Sequence, residues 1–454
     1  RLEVDLAWSL AGQRRWAEAA ELARRERRRL ALDPVSRNIL GATLVSVGKG
    51  AEALPHLEFA ARGLPDRPDI AHNLAVVLNS LGRADDAEAV LRGILKTAPS
   101  YLPAYEFLGE LRRATPESNL IERLNAIRAR APAGADVAFI DYTLFRQYDD
   151  LDRRDEAWEA LMRATAAKAA QRRWTPAEDA ATAAALEAVA DGLPDGGGAA
   201  PGKPRPIFIV SLPRTGSTLV ERIFSAHPKV TALGELETFS RAVKQAAGLG
   251  PWPYVDGRIA TAGGIDWAAV GERYREEIAG LSDGAEVVTD KMPLNWWYAP
   301  MIAAALPDAT IVHVRRQPMD ALFGAMKVNF ADAFGWAYRQ DDLADHYGLY
   351  RRLSARWAER LGARFVEVDY EALVAEPEAR IRGLLAGCGL DFDPACLRPE
   401  AAEGSVITPS AAQVRKPITA GNVGAWRRYA ERLEPLRARL QADGWVDGEG
   451  NATA

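Results

Sequence analysis

The chain has 454 residues and a formal net charge of −5, so it is long enough for two or three domains and lacks the basic surplus of a nonspecific nucleic-acid binder. No apolar run reaches bilayer length, which argues against a helical membrane span. Cys388 and Cys396 are the only cysteines, which excludes a disulfide framework and fits a reducing cytoplasm. The five histidines show no ligand spacing, so no metal is expected. No secretory leader is visible at the start, and Arg1 in place of a methionine leaves the true start open.

The first third repeats itself. Ala17-Glu18-Ala19, Ala51-Glu52-Ala53 and Ala87-Glu88-Ala89 recur at spacings of 34 and 36 residues, and Asp155-Glu156-Ala157 lies two periods further on. Gly12, Gly48 and Gly82 precede these blocks, where a turn between paired helices needs glycine, and Pro34 and Pro68 open successive units. The period, the small residues at helix crossings and the turn glycines together resemble the tetratricopeptide repeat. A non-repeating bundle would not repeat glycine, alanine and proline in step. Such a solenoid offers an extended concave face and no phosphate cradle. Its expected task is to recruit or position an acceptor, or to form a homodimer contact. Residues 104–165 are less regular, as in a degenerate repeat or a cap.

Residues 191–206 are rich in glycine and proline and read as a linker at which the two units separate. Beyond it, candidate strands at 207–210, 286–289, 310–314 and 364–368 alternate with helical stretches. That alternation predicts a parallel sheet covered on both faces, with ligands at the carboxyl ends of its strands.

The first of these strands leads into the most informative stretch. Ile207 to Val210 reads as a short buried strand, Ser211 to Ser217 as a tight turn, and Leu219, Val220, Ile223 and Phe224 have helical spacing. A strand, a tight loop and a helix start make an anion cradle, because backbone N–H groups converge and the helix dipole adds positive potential. Arg214 supplies a full charge and a bidentate fork. The loop lacks the Gly-Lys-Ser/Thr of a nucleoside-triphosphate P-loop, so a P-loop-like kinase or hydrolase becomes the weaker reading.

Pro-Arg-Thr-Gly-Ser-Thr (213–218) instead resembles the 5′-phosphosulfate loop of sulfotransferases. Three later segments follow that family's order. Asp290-Lys291-Met292-Pro293 ends the second strand, and Arg316-Gln317-Pro318-Met319-Asp320 ends the third. Ser410 to Trp426 resembles the final nucleotide loop, with Ser410 and Lys416 matching. Repeats followed by such a domain look like the bacterial sulfotransferases that carry tetratricopeptide repeats. The resemblance implies transfer of a sulfuryl group from 3′-phosphoadenosine 5′-phosphosulfate (PAPS) to a hydroxyl of a peptide tyrosine, a sugar or a small molecule. It implies that Arg214, Thr215, Gly216, Ser217 and Thr218 hold the phosphosulfate. Arg316 would take the 3′-phosphate, with Tyr370, Ser410 and Lys416 on the nucleotide. Lys291 and Arg214 would stabilise the transition state, and Asp320 would fix its turn.

Glu235, in Leu233-Gly234-Glu235, resembles the catalytic glutamate of tyrosylprotein sulfotransferases. His227 before Pro228 reads as packing or capping. Two positions depart from the family: Gly324 stands where a serine is usual, and Ala425 where a basic residue usually precedes Trp426, leaving Arg415, Arg427 or Arg428 to substitute. These departures keep alive a further alternative, an interaction protein with an inactive sulfotransferase-like domain. The aromatic residues Trp296, Trp297, Tyr298, Phe323, Phe330 and Trp336 suit an acceptor pocket but are commoner in a core. The expected architecture is an α-helical solenoid at 1–165, a helix and linker at 166–205, an α/β P-loop-like domain at 206–445 and a tail at 446–454.

Overall fold

Alanine at a helix crossing lets two helices approach closely, and the repeated alanines do so here: Ala19, Ala53, Ala87 and Ala157 are fully buried. The computed structural model describes all residues except 1, 13–14, 27–32, 47, 133–136, 195–197, 283, 331, 403–416 and 454. Ser410, Arg415 and Lys416 therefore lie outside the described residues, as do Gly196 and Gly197 of the expected linker. Helices run in antiparallel pairs from Leu2–Gly12 to Arg154–Gln171. Pro34 and Pro68 each open a helix, where a missing N–H costs nothing. Gly48 and Gly82 make their turns with φ of +78° and +81°. In the last pair Asp152 takes that left-handed role with φ +56°, a conformation aspartate tolerates better than most residues.

The second unit is built on five parallel strands: β1 (Arg205–Ser211), β2 (Val230–Ala232), β3 (Val287–Asp290), β4 (Thr310–Arg315) and β5 (Phe365–Asp369). Their order is β2-β3-β1-β4-β5. Four of them fall where the apolar runs predict. β2 has three residues and no apolar run of its own, so only its partner β3 reveals it. The sheet alternates along each strand. Phe208, Val210 and Ile311 face one core, while Ile207, Ile209, Val312 and Val368 face the other.

The first of these cores does not stop at the expected linker. It continues into Tyr105, Phe145, Trp158 and Leu161 of the solenoid and closes on Trp426 and Tyr429. The Tyr429 ring lies 5.2 Å from Phe323, 6.0 Å from Trp158 and 6.3 Å from Phe145, and its hydroxyl donates to Asp149 at 2.8 Å. At the other end, helix Trp16–Glu26 packs on helix Trp267–Leu281. The glycine- and proline-rich stretch is itself fastened down, with Ala199 N–H donating to Ala305 O at 2.9 Å and Lys203 paired with Glu286. Composition signals a flexible linker here, and the shared core runs between the two segments on either side of it. Of the candidate acceptor aromatics, Trp296, Trp297, Tyr298, Phe323 and Trp336 are buried core, as their type predicts. No helix among the described residues is long and apolar enough to cross a membrane.

Candidate functional site

β1 ends in the loop from Leu212 to Gly216, and helix Ser217–Ser225 starts directly after it. Gly216 has φ +99°, and a Cβ there would overlap the Tyr370 ring, so only glycine closes this turn. Thr215 turns its hydroxyl back onto Leu212 O at 2.9 Å, which stiffens the loop. The helix start has no side-chain cap. Among the described residues, the amides of 215–218 donate to no recorded acceptor. Orphan N–H groups at a helix start suit an anion, and so fit a phosphosulfate.

Three cations converge on this loop. Burial pulls the Arg214 guanidinium down to about 10, and neighbouring Arg146 and Arg316 push the same way. Burial also pulls the Lys327 ammonium down to about 8, again with Arg214 and Arg316 adding repulsion. Like charges held this close are stable when an anion sits between them. Gly324, one of the two departures, has a physical account: a Cβ there would lie 3.1 Å from the Arg214 Cβ. The glycine makes room for the arginine stem.

Arg316 is clamped rather than open. It donates to Arg214 O at 3.0 Å and to Asn422 O at 2.6 Å, and its guanidinium lies 4.6 Å from the Tyr370 ring centre. Tyr370 is thereby sandwiched between Gly216 and Arg316. Asp320 reaches further than its own turn. It accepts from the amides of Gly424 at 2.6 Å and Trp426 at 3.0 Å, tying the C-terminal loop to the third strand end. Of the three proposed substitutes for the missing basic residue at Ala425, the two within the described residues have other partners. Arg427 donates to Asn451 at 2.9 Å, and Arg428 pairs with Asp149 and Asp152 of the solenoid.

The end of β3 forms a second group. Lys291 is 1% exposed, so it is not the solvated lysine that a strand end usually carries. Its Nζ pairs with Glu235. The short β2 explains this meeting: Leu233 N–H donates to Thr289 O and Lys291 N–H to Gly234 O, both at 2.9 Å, extending the ladder to Glu235. Beneath the pair lie two carboxyl groups. Glu221 stands on the loop's own helix and is buried. Asp290 is fully buried and accepts from the Tyr274 hydroxyl at 3.0 Å. Burial pushes Asp290 well above the usual carboxylate range. His227 has both ring nitrogens engaged, Nε2 with Asp391 O at 3.0 Å and Nδ1 with the Lys229 amide at 3.2 Å. It is a turn-closing residue and has no lone pair to offer as a base.

Sequence reasoning missed Lys327, Glu221 and the solenoid's own contribution. Glu110 and Arg146, 3.4 Å apart on two solenoid helices, both act electrostatically on Arg214. Glu106 lies beside Asn329, at 3.5 Å. These solenoid helices thus border the loop after β1. A lysine or glutamate inside an apolar helical stretch was the one available signal for Lys327 and Glu221.

A parallel sheet thus carries a helix-start loop, convergent cations and a lysine–glutamate pair at the carboxyl ends of neighbouring strands. Residues 206–394 match the sulfotransferase family, and residues 44–111 match the tetratricopeptide repeat. The chain thus carries a segment similar to tetratricopeptide repeats and, after it, a segment similar to the sulfotransferase family. An uncharacterized protein of Aquifex aeolicus (strain VF5) is 26% identical over 423 residues, covering 88% of this chain and 53% of that protein. This chain therefore spans about half the length of that relative. Among solved structures, it is similar to the sulfotransferase domain from the Synechococcus PCC 7002 olefin synthase. Identity is 21%, covering 52% of this chain and 90% of that one, with a TM-score of 0.35. A sulfotransferase from Alicyclobacillus acidocaldarius is 19% identical, covering 53% and 96%, with a TM-score of 0.30.

Proposed function

We propose that this chain transfers the sulfuryl group of PAPS to an acceptor hydroxyl. The observation that supports this reading is the convergence of Arg214, Arg316 and Lys327 on an uncapped helix start, with the Lys291–Glu235 pair at the neighbouring strand end. Arg214 and the amides of Thr215, Gly216, Ser217 and Thr218 hold the phosphosulfate. Arg316, stacked on Tyr370, serves the 3′-phosphate side, and Ser410 and Lys416 complete the nucleotide site. Glu235 takes the acceptor's proton as the new O–S bond forms. The S–O bond to the 5′-phosphate breaks, and its electron pair leaves with 3′-phosphoadenosine 5′-phosphate (PAP). Lys291 and Arg214 stabilise the charge that develops on the nonbridging and leaving oxygens. A weak hydroxyl nucleophile needs both the base and the in-line placement. The acceptor approaches along the solenoid side, past Glu110 and Arg146.

Calorimetry with PAP tests this reading. The expected result is low-micromolar affinity or tighter, as charge-assisted anchors provide, with ATP bound more weakly. Binding of magnesium-ATP in preference to PAP would return the chain to the kinase class. PAP binding without turnover of PAPS on any hydroxyl acceptor would make it an interaction protein with an inactive domain.

A further inference from the structure

Among the described residues, the buried end of β3 holds more acid than the Lys291 ammonium balances. Three carboxyl groups, from Glu221, Asp290 and Glu235, surround one ammonium, from Lys291. Glu235 is 42% exposed at its side chain and takes the Lys291 ion pair. Asp290 takes the Tyr274 hydroxyl. Glu221 is 7% exposed, and its Oε1 has no hydrogen-bond partner among the described residues. A lone ionised carboxylate in such a place is costly, and it would draw Lys291 away from Glu235.

We propose that Glu221 is a positioning residue that carries its proton in the resting site, leaving the Lys291 ammonium undivided for Glu235 and the anionic donor. Its ionisation then weakens the site. The proposal rests on the reading of Lys291 and Glu235 as the reacting end. The groups that face Glu221 are Lys291 and Asp290 from the β3 end, Glu235 and the Gly234 amide from the segment after β2, and Arg222 on its own helix. Arg222 is drawn off toward the turns packed on that helix's far side, where it donates to Ala402 O. Burial first, and then Glu235, push the Glu221 carboxyl up to about 7, while Lys291, the Gly234 amide and Arg222 pull the other way. The sign follows. Below that value Glu221 is neutral, and Lys291, Glu235 and Glu221 together sum to zero. Above it they carry an extra negative charge that opposes a phosphosulfate.

The test is PAP affinity and sulfuryl-transfer rate in wild type and Glu221→Gln, each measured from about pH 6 to about pH 8. Glutamine mimics the neutral acid. Expected is near-identity of the two proteins at the acid end. At the alkaline end Glu221→Gln transfers the sulfuryl group roughly five- to tenfold faster at saturating PAPS, the scale of one partly screened charge, with PAP affinity little changed. Profiles that superimpose across the range overturn the proposal. So does a folded Glu221→Gln that is inactive at every pH, because the ionised carboxylate is then the working form. Glu221→Leu, neutral and of similar length, carries the same expectation should the glutamine variant fail to fold. Wild-type protein that binds no PAP at any pH sinks the sulfotransferase reading itself, a result distinct from superimposed profiles.

Discussion

The two ends of the candidate site are held together in opposite ways. At the β3 end, side chains hold side chains: Lys291 pairs with Glu235, Tyr274 donates to Asp290, and Glu221 lies beneath. At the β4 end, side chains hold backbone. Arg316 binds the carbonyls of Arg214 and Asn422, and Asp320 binds the amides of Gly424 and Trp426. A cluster of titratable side chains responds to charge and so suits the reacting atoms. A side chain clamped on backbone fixes the spacing of three chain segments and so suits an anchor. The difference teaches that substitutions at the first end should act on rate, and at the second on affinity.

The largest effect is expected at Lys291. Lys291→Ala should lower turnover at least roughly a hundredfold while PAP affinity changes little, as for a group acting mainly in the transition state. Single-turnover kinetics beside PAP calorimetry check it. A variant that loses PAP affinity but keeps full turnover at saturation would make the β3 end an anchor and erase the contrast.

Arg316→Ala should weaken PAP binding by about 2 kcal/mol or more, roughly thirtyfold, because it strips a partner from a dianion. The rate at saturation should fall far less. The loss includes the two carbonyls that the arginine now satisfies, so Arg316→Lys, which keeps the charge but not the fork, separates the contributions. Unchanged PAP affinity in Arg316→Ala removes this residue from the nucleotide site.

Much of this contrast was readable from local sequence, because the residues concerned follow their strands directly. Arg214 to Thr218, Lys291 and Arg316 are each within a few residues of an apolar run that ends in a turn, and a turn is a local event. β2 was not readable, since three residues carry no periodicity and the strand exists only by pairing with β3. Glu221 was not readable either, since its burial depends on its helix packing against β1 and β2. Lys327 and Arg146 needed the solenoid and the sheet to meet, and that meeting depends on a shared core that the glycine- and proline-rich stretch conceals. The repeat spacing was legible for the converse reason. Each repeat contacts mainly its neighbours, so its glycines and alanines obey local rules.

The smallest expected effect tests whether the solenoid belongs to the site at all. Arg146 stands on a solenoid helix, pairs with Glu110 at 3.4 Å and acts electrostatically on Arg214. Its side chain is 38% exposed, so water screens much of its charge. Arg146→Ala should therefore change PAP affinity by less than about twofold and raise the acceptor KM roughly two- to fivefold, the scale of a screened surface charge. Steady-state kinetics at saturating PAPS, with acceptor varied, make the measurement. The fold should survive, since the shared core runs through Tyr105, Phe145, Trp158 and Tyr429 and does not include Arg146. An Arg146→Ala protein with wild-type acceptor KM and weaker PAP binding would place the solenoid on the nucleotide side. The concave face would then belong to the donor end of the site, contrary to the expectation that the repeats serve the acceptor.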